Sequence, residues 1–236
     1  MRLFPPLATT CAAAVLLMAA GCGSSEGGSE AGGPQVPVAA VNGPKAEQPP
    51  ASAQAAGPAL SAPRPDSLHP VVVIKTSMGD VTVQLDAQRA DCTVDNFLSY
   101  VERKHYDGTI FHQVFRNYVI LGGGYTPEYV EKPAGAEIYN QANNGLRNLR
   151  GTIAMARDPR IIDSATCQFF INVADNPHLD HQSPDSAETY GYCVFGKVID
   201  GMEVVDAISR VPVRDTEQFE CTPVEPVVIH SIRRVR

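Results

Sequence analysis

The residues of this 236-residue chain whose types could do chemistry are a histidine pair, a run of three glycines, four of its six cysteines (Cys11 and Cys22 set aside) and a few aspartates. His178 and His181, in HLDH, stand i, i+3, a spacing that could turn two imidazoles toward one metal ion. Cys92, Cys167, Cys193 and Cys221 include no C-x2-C pair and so do not read as a zinc site. They allow three disulfide connectivities, or they are small buried apolar fillers; both readings stay open. Gly122-Gly123-Gly124 is followed by neither Lys-Ser/Thr nor a helix signal, so a tight backbone path explains it better than a phosphate does. Asp158, Asp163 and Asp185 fall in polar segments with no evident acid–base partner. No nucleophile, metal or cofactor is thereby indicated. What remains is aromatic: Phe111–Gly124, FHQVFRNYVILGGG, a half-buried strand running into a glycine turn, and the stretch Gly151–Asp175, GTIAMARDPRIIDSATCQFFINVAD.

The elements that must position these stretches follow from periodicity. Val71–Thr76 and Val81–Leu85 flank Ser77-Met78-Gly79-Asp80, and Val81, Val83 and Leu85 alternate with polar residues, which predicts a β-hairpin. Val94, Phe97, Leu98 and Val101 form the i, i+3, i+4, i+7 stripe of a helix, with Thr93 or Asp91 as its cap. Strands are expected at Ile110–His112, Tyr118–Leu121, Ile153–Ala156, Gln168–Val173, Val194–Ile199 and Val227–Ile232, with a second helix over Met202–Ile208 opened by Asp200-Gly201. Many short strands, two helices and no βαβ alternation predict an antiparallel sheet or barrel.

The N-terminal third is of another kind. Residues 23–69 contain no Phe, Tyr or Trp and are rich in Ala, Gly, Pro and Ser, too little apolar surface to offset chain entropy. They read as a disordered tether, leaving residues 70–236 for one domain with a sizeable core. Before the tether, Arg2 and the apolar Ala12–Ala20 form a signal peptide over residues 1–21. Ala19-Ala20-Gly21-Cys22 resembles a bacterial lipobox, with Ala19 where Leu is more usual, which makes Cys22 a lipidated anchor to a membrane. Gly23 directly after Cys22 gives no Asp-type inner-membrane retention signal, a preference for the outer membrane in a diderm host. The net charge of −7 argues against nucleic acid and against an anionic membrane surface as partners. Arg233, Arg234, Val235 and Arg236 read as a solvated basic terminus.

The two aromatic stretches, with the runs NGLRN, SATCQFFINVAD and FGKVIDGM, resemble the cyclophilins, the peptidyl-prolyl cis–trans isomerases, and the bacterial periplasmic members most. The resemblance covers Val71 to Val235. It implies a mainly β, closed antiparallel eight-stranded barrel capped by two helices, monomeric and without a cofactor. It also implies an active site built from Phe111, His112 and the residue after them. Where the family carries its catalytic arginine this chain has Gln113, and Leu121 stands for the glutamine that would orient that arginine. In the substrate pocket Tyr118 replaces Phe and Val119 replaces Met, whereas Ala156, Gln168, Phe170 and Leu179 match. His178 replaces an aromatic, while Arg157 and Tyr192 follow the bacterial pattern. Arg116-Asn117 stand at a usual Pro-Gly; regular alternation points Arg116 away from the face of Gln113. The resemblance puts His178 and His181 on a loop beside the pocket, and Gln182–Tyr190 looks a few residues longer than in bacterial relatives, either tuning partner choice or simply tolerated.

Prolyl isomerisation crosses a barrier of about 18–20 kcal/mol without covalent chemistry. An apolar pocket holds the ring, and a cationic donor to the pyramidal prolyl nitrogen favours the twisted state. A neutral Gln113 donor is about half as strong as a charged one, and loss of one such donor predicts about 10²–10³ in rate. Two functions follow. One is a slowed isomerase acting on exported, proline-containing polypeptides; the other is a non-catalytic proline-peptide binding or scaffold module of the envelope.

Overall fold

The computed structural model describes residues 68–235. The signal peptide, Cys22 and all but the last two residues of the tether lie outside them. Backbone pairing of the domain starts at Leu68, whose carbonyl accepts from the Ala87 amide (2.9 Å).

Strands β1 (Val71–Thr76) and β2 (Gly79–Leu85) form the expected hairpin around Ser77-Met78. Gly79 has φ +133°, and a Cβ there would stand 2.8 Å from Val204, so the turn needs its glycine for conformation and for space. Helix α1 (Asp91–Glu102) buries the predicted stripe of Val94, Phe97, Leu98 and Val101. Its start corrects the expected cap. Ala90 is the N-cap and its own side chain makes no capping bond; the Asp91 carboxylate accepts from the Cys92 amide (2.7 Å), and Gln141 Oε1 accepts from the Thr93 amide and the Thr93 hydroxyl, both at 3.0 Å. The cap is supplied from 48 residues away.

Strands β3 (Thr109–Val114), β4 (Val119–Gly122), β5 (Thr152–Met155), β6 (Phe169–Asn172) and β7 (Val194–Asp200) come next. Each lies within two residues of its predicted bounds. Helix α2 (Ala187–Tyr190) and the ribbon of β8 (Val213–Arg214) and β9 (Thr222–Pro223) go beyond the expected elements, while α3 (Met202–Ile208) matches and β10 (Val227–Arg234) closes the chain. Eight strands close antiparallel in the order β1-β10-β3-β4-β6-β5-β7-β2. The basic terminus is not simply solvated: Arg233, in β10, donates two hydrogen bonds to the Asp107 carboxylate (2.8 and 2.5 Å).

Side-chain alternation sorts the strands into two apolar clusters. Ile120, Ile153, Met155, Phe169, Ile171 and Phe195 point inward, where Phe97 of α1 meets Tyr106, Phe169 and Phe195 at ring separations of 5.2–5.7 Å. Val205 and Ile208 of α3 join the same interior. The helices sit at opposite ends of β7: Thr93 of α1 lies 3.4 Å from Cys193 before its start, and Gly201 after its finish opens α3. The intervening residues, Val119, Leu121, Ala154, Ala156, Phe170 and Val194, point outward and form a second cluster on the outside of the barrel, covered by Phe115 and Leu179. All four cysteines of the domain are free thiols, with Cys167 and Cys193 buried as fillers.

Candidate active site

The outer cluster opens into a shallow depression lined by Tyr118, Val119, Leu121, Phe170, Leu179 and Tyr192. Three of these, Val119, Leu121 and Phe170, stand on β4 and β6, which pair Val119 with Asn172 and Leu121 with Phe170. Tyr118, Leu179 and Tyr192 come from connecting segments and form the rim. All six are among the predicted substrate-binding residues. Ala156 packs in the same cluster, its amide donating to the Gln168 carbonyl (3.0 Å). Gln168 is buried against Gly124, where a Cβ would stand 2.7 Å from its Cγ. Close approach of backbone to side chain therefore explains that glycine.

Aromatic edges shape the rim. The His178 ring stacks on Tyr118 with centroids 5.4 Å apart, and His178 Nε2 lies 3.1 Å from the Tyr118 hydroxyl. Burial, with nearby Tyr192, pushes the Tyr118 phenol up to about 12, so it stays protonated at neutral pH. His181 turns elsewhere, its Nδ1 2.8 Å from the Tyr190 carbonyl, so the i, i+3 histidines serve different partners.

Arg157 is almost fully buried, and its donors are all directed at backbone: the carbonyls of Gly191 (3.0 Å), Asp158 (2.8 Å), Ile161 (3.4 Å) and Ala187. Its guanidinium carbon lies 4.7 Å from the centre of the Tyr192 ring. Arg157 therefore clamps the 187–191 segment behind Tyr192, whereas the sequence reading placed it on the substrate. Arg116 is exposed in the β3–β4 turn beside Asn117, which takes φ +57°.

The polar half of the site lies on β3. A bulge sets His112 and Gln113 together opposite Leu121, with Gln113 and Leu121 as direct cross-strand partners. The predicted trio divides here. Phe111 points into the barrel, 6.2 Å from Phe169 ring to ring, so it does not line the depression. His112 is enclosed between Tyr125 (4.7 Å) and Phe219 (5.0 Å). Burial lowers its pKa to about 3, so it is neutral and not placed to move a proton. Gln113 alone remains on the outer face, 6% exposed, and its Nε2 donates to the Glu220 carbonyl (3.2 Å) in the segment between β8 and β9. Sequence reading missed that segment, which has no strong periodicity; Phe219 clips it onto His112 and Tyr125. It also missed the buried Asn148, Asn172 and Asn176 beneath the rim. Asn172 carried a signal, as a polar residue inside the FFIN strand.

A family model described as "Cyclophilin type peptidyl-prolyl cis-trans isomerase/CLD" matches residues 71–234, the whole barrel. The chain belongs to the cyclophilin family. It is 46% identical over 165 residues to peptidyl-prolyl cis-trans isomerase A of Dickeya dadantii, covering 70% of this chain and 84% of that protein. It is 44% identical over 162 residues to peptidyl-prolyl cis-trans isomerase B of Escherichia coli, covering 69% of this chain and 98% of the relative. A cyclophilin-type isomerase of Cryptosporidium parvum, solved in the presence of the dipeptide Ala-Pro, superposes with a TM-score of 0.59 at 25% identity, covering 70% of this chain and 99% of that one. As a cyclophilin, the chain has the family's closed barrel and, on its outside, an apolar depression bordered by a neutral residue at position 113.

Proposed function

We propose that this protein is a peptidyl-prolyl isomerase of the bacterial cell envelope whose proline pocket is mostly kept, in altered shape, and whose turnover is reduced. The observation that carries the reading is the juxtaposition on one barrel face of the six-residue apolar depression and Gln113. A proline ring is apolar and compact, and a depression floored by Val119, Leu121 and Phe170 suits it. Above that floor the twisted amide needs a strong donor, and Gln113 offers a neutral amide already engaged with Glu220. The Glu220 bond takes one of its two N–H donors, and the neutral donor that remains gives less to the transition state than a guanidinium. Leu121, directly across from Gln113, offers no hydrogen bond to orient it. The expected deficit is about 10²–10³ in rate.

The neutral donor equally favours a second reading, a proline-peptide binding module without useful turnover. Isomerisation of a proline tetrapeptide by wild type and by Gln113→Arg/Leu121→Gln separates the two. The reading expects slow wild-type turnover and a gain of about 10²-fold in the double variant. Ordinary cyclophilin turnover in wild type would refute the impairment, and a wild type that binds peptide but never catalyses would favour the module. In the same reading Cys22 is acylated, residues 22–69 tether the domain, and it works as a monomer on exported clients, with the outer membrane preferred. Mass spectrometry of the mature N-terminus tests this; an unmodified Cys22 would refute the anchor.

A further inference from the structure

The rim of the depression is held by a chain of buried asparagine amides. Asn148, Asn172 and Asn176 are 1%, 0% and 3% exposed, and they bond to one another in sequence. Asn176 Nδ2 donates to Asn172 Oδ1 (2.7 Å), and Asn172 Nδ2 donates to Asn148 Oδ1 (3.2 Å) and to Thr152 Oγ1 (2.9 Å). Each end of this chain reaches a rim carbonyl. Asn176 Nδ2 also donates to the Tyr118 carbonyl (3.1 Å), and Asn148 Nδ2 donates to those of Leu179 (3.0 Å) and Tyr192 (3.4 Å). The three carbonyls belong to the three lining residues that no strand holds.

Burying amides is costly unless every donor and acceptor is matched, so a matched relay marks a place where geometry is tightly specified. Backbone bonds already tie the rim in two places, Val173 N to Tyr118 O and Tyr192 N to Leu179 O, both at 2.9 Å. Those bonds set neighbours, not the separation between Tyr118 on one side and Leu179 with Tyr192 on the other. The amide relay spans it from beneath, with Asn172 as the hub on β6, while the His178–Tyr118 contact crosses the same gap at the surface. The Asp180 carboxylate extends the relay outward: it accepts from Asn148 Nδ2 (3.2 Å), from the Asn148 backbone N–H (2.6 Å) and from Arg147 Nε (3.1 Å).

We infer that Asn148, Asn172 and Asn176 are positioning residues that set the width of the proline pocket and hence its affinity for X-Pro peptides. They touch no substrate and act through Tyr118, Leu179 and Tyr192. This inference rests on the proline-pocket reading above. Loosening the hub lets the rim relax while the strand-borne floor stays, so ground-state binding falls more than turnover of bound peptide.

The test measures, on the full chain, binding of an Ala-Pro-containing tetrapeptide by NMR titration and the catalysed cis–trans exchange rate at saturation. Asn172→Ala is expected to weaken binding about 5- to 20-fold while exchange at saturation stays within about twofold. Asn176→Ala, at the loop end of the relay, carries the same expectation should the strand variant not fold. Asn96→Ala is the control for a lost side-chain amide bond: the half-buried Asn96 on α1 donates through Nδ2 to the Thr166 carbonyl (2.6 Å) and bonds to no residue of the rim, and its affinity should stay at the wild-type value. Wild-type affinity in Asn172→Ala and Asn176→Ala would overturn the inference, as would equal weakening in Asn96→Ala. A wild type that binds no X-Pro peptide would overturn the proline-pocket reading and the inference together, and that outcome is distinct from the first.

Discussion

Replacing Arg157 with Met tests whether this guanidinium holds a loop or serves the reaction in place of the family's arginine. Met keeps most of the apolar stem and deletes the donors. Four backbone carbonyls then lose a charged donor: Gly191, Asp158, Ile161 and Ala187. A hydrogen bond from a charged group contributes about 1.5–3 kcal/mol, and the stacking on Tyr192 about 0.5–2 kcal/mol. Against this, burial itself disfavours the cation and lowers its pKa, and the freed loop carbonyls regain water. The net expectation is a loss of about 3 kcal/mol, which for a domain of this size lowers Tm by roughly 6–12 °C. Because the clamped segment backs Tyr192, peptide affinity should fall severalfold while catalysed exchange at saturation holds. Differential scanning calorimetry and the exchange assay read these two quantities. A hundredfold fall in exchange with unchanged Tm would refute the clamp and make Arg157 the catalytic cation.

Three further outcomes follow from geometry already described. His112 is held neutral with a pKa of about 3 against about 6.5 unfolded, so the unfolded chain takes up its proton first and stability falls as pH drops from 6.5 toward 3. Between pH 6.5 and 4.5 the expected loss is about 2–3 kcal/mol at 1.36 kcal/mol per unit, and His112→Leu should flatten that part of the profile in urea titrations; an unchanged slope would refute it. Gly191 and Gly145 both have φ +78°, but a Cβ on Gly191 would stand 2.6 Å from the Asp180 carbonyl carbon while one on Gly145 meets nothing within 4 Å. Gly145→Ala should therefore cost about 1–2 kcal/mol for conformation alone and Gly191→Ala clearly more, with equal costs in chemical denaturation counting against the clash. Gln141→Ala removes the distant cap of α1 and should cost about 1 kcal/mol, and the Asp91 carboxyl, held low chiefly by Gln141, should titrate higher by NMR.

Much of the fold was legible because burial on a barrel wall imposes a period of two. That period placed the strands in Val71–Leu85, Ile110–Leu121 and Ile153–Val173, and the helical stripe placed α1 and α3. The pocket residues Val119, Leu121 and Phe170 came from the resemblance to the family, and the structure shows the alternation that exposes them, with Phe169 and Ile171 inward and Phe170 outward. The same rule failed at the β3 bulge, where one extra residue broke the alternation. Phe111, His112 and Gln113 there take three different environments, which no pattern of types announces.

What the chain's own residues determined is thus the strands and helices of the barrel, through side-chain period, and the neutral Gln113 and apolar Leu121, through residue type at positions the family resemblance marks. Both are properties of contiguous sequence, whereas the pairing of Gln113 with Leu121 across the β3 bulge is not. Only the tertiary structure decided how the rest is held. Gln141 caps a helix 48 residues before it, Glu220 takes the amide of Gln113, Arg233 pairs with Asp107, and three asparagines bind Tyr118 to Leu179. Each of these bonds joins segments far apart in the chain. A buried polar group takes whatever partner folding brings within about 3 Å, and sequence spacing carries no record of that distance.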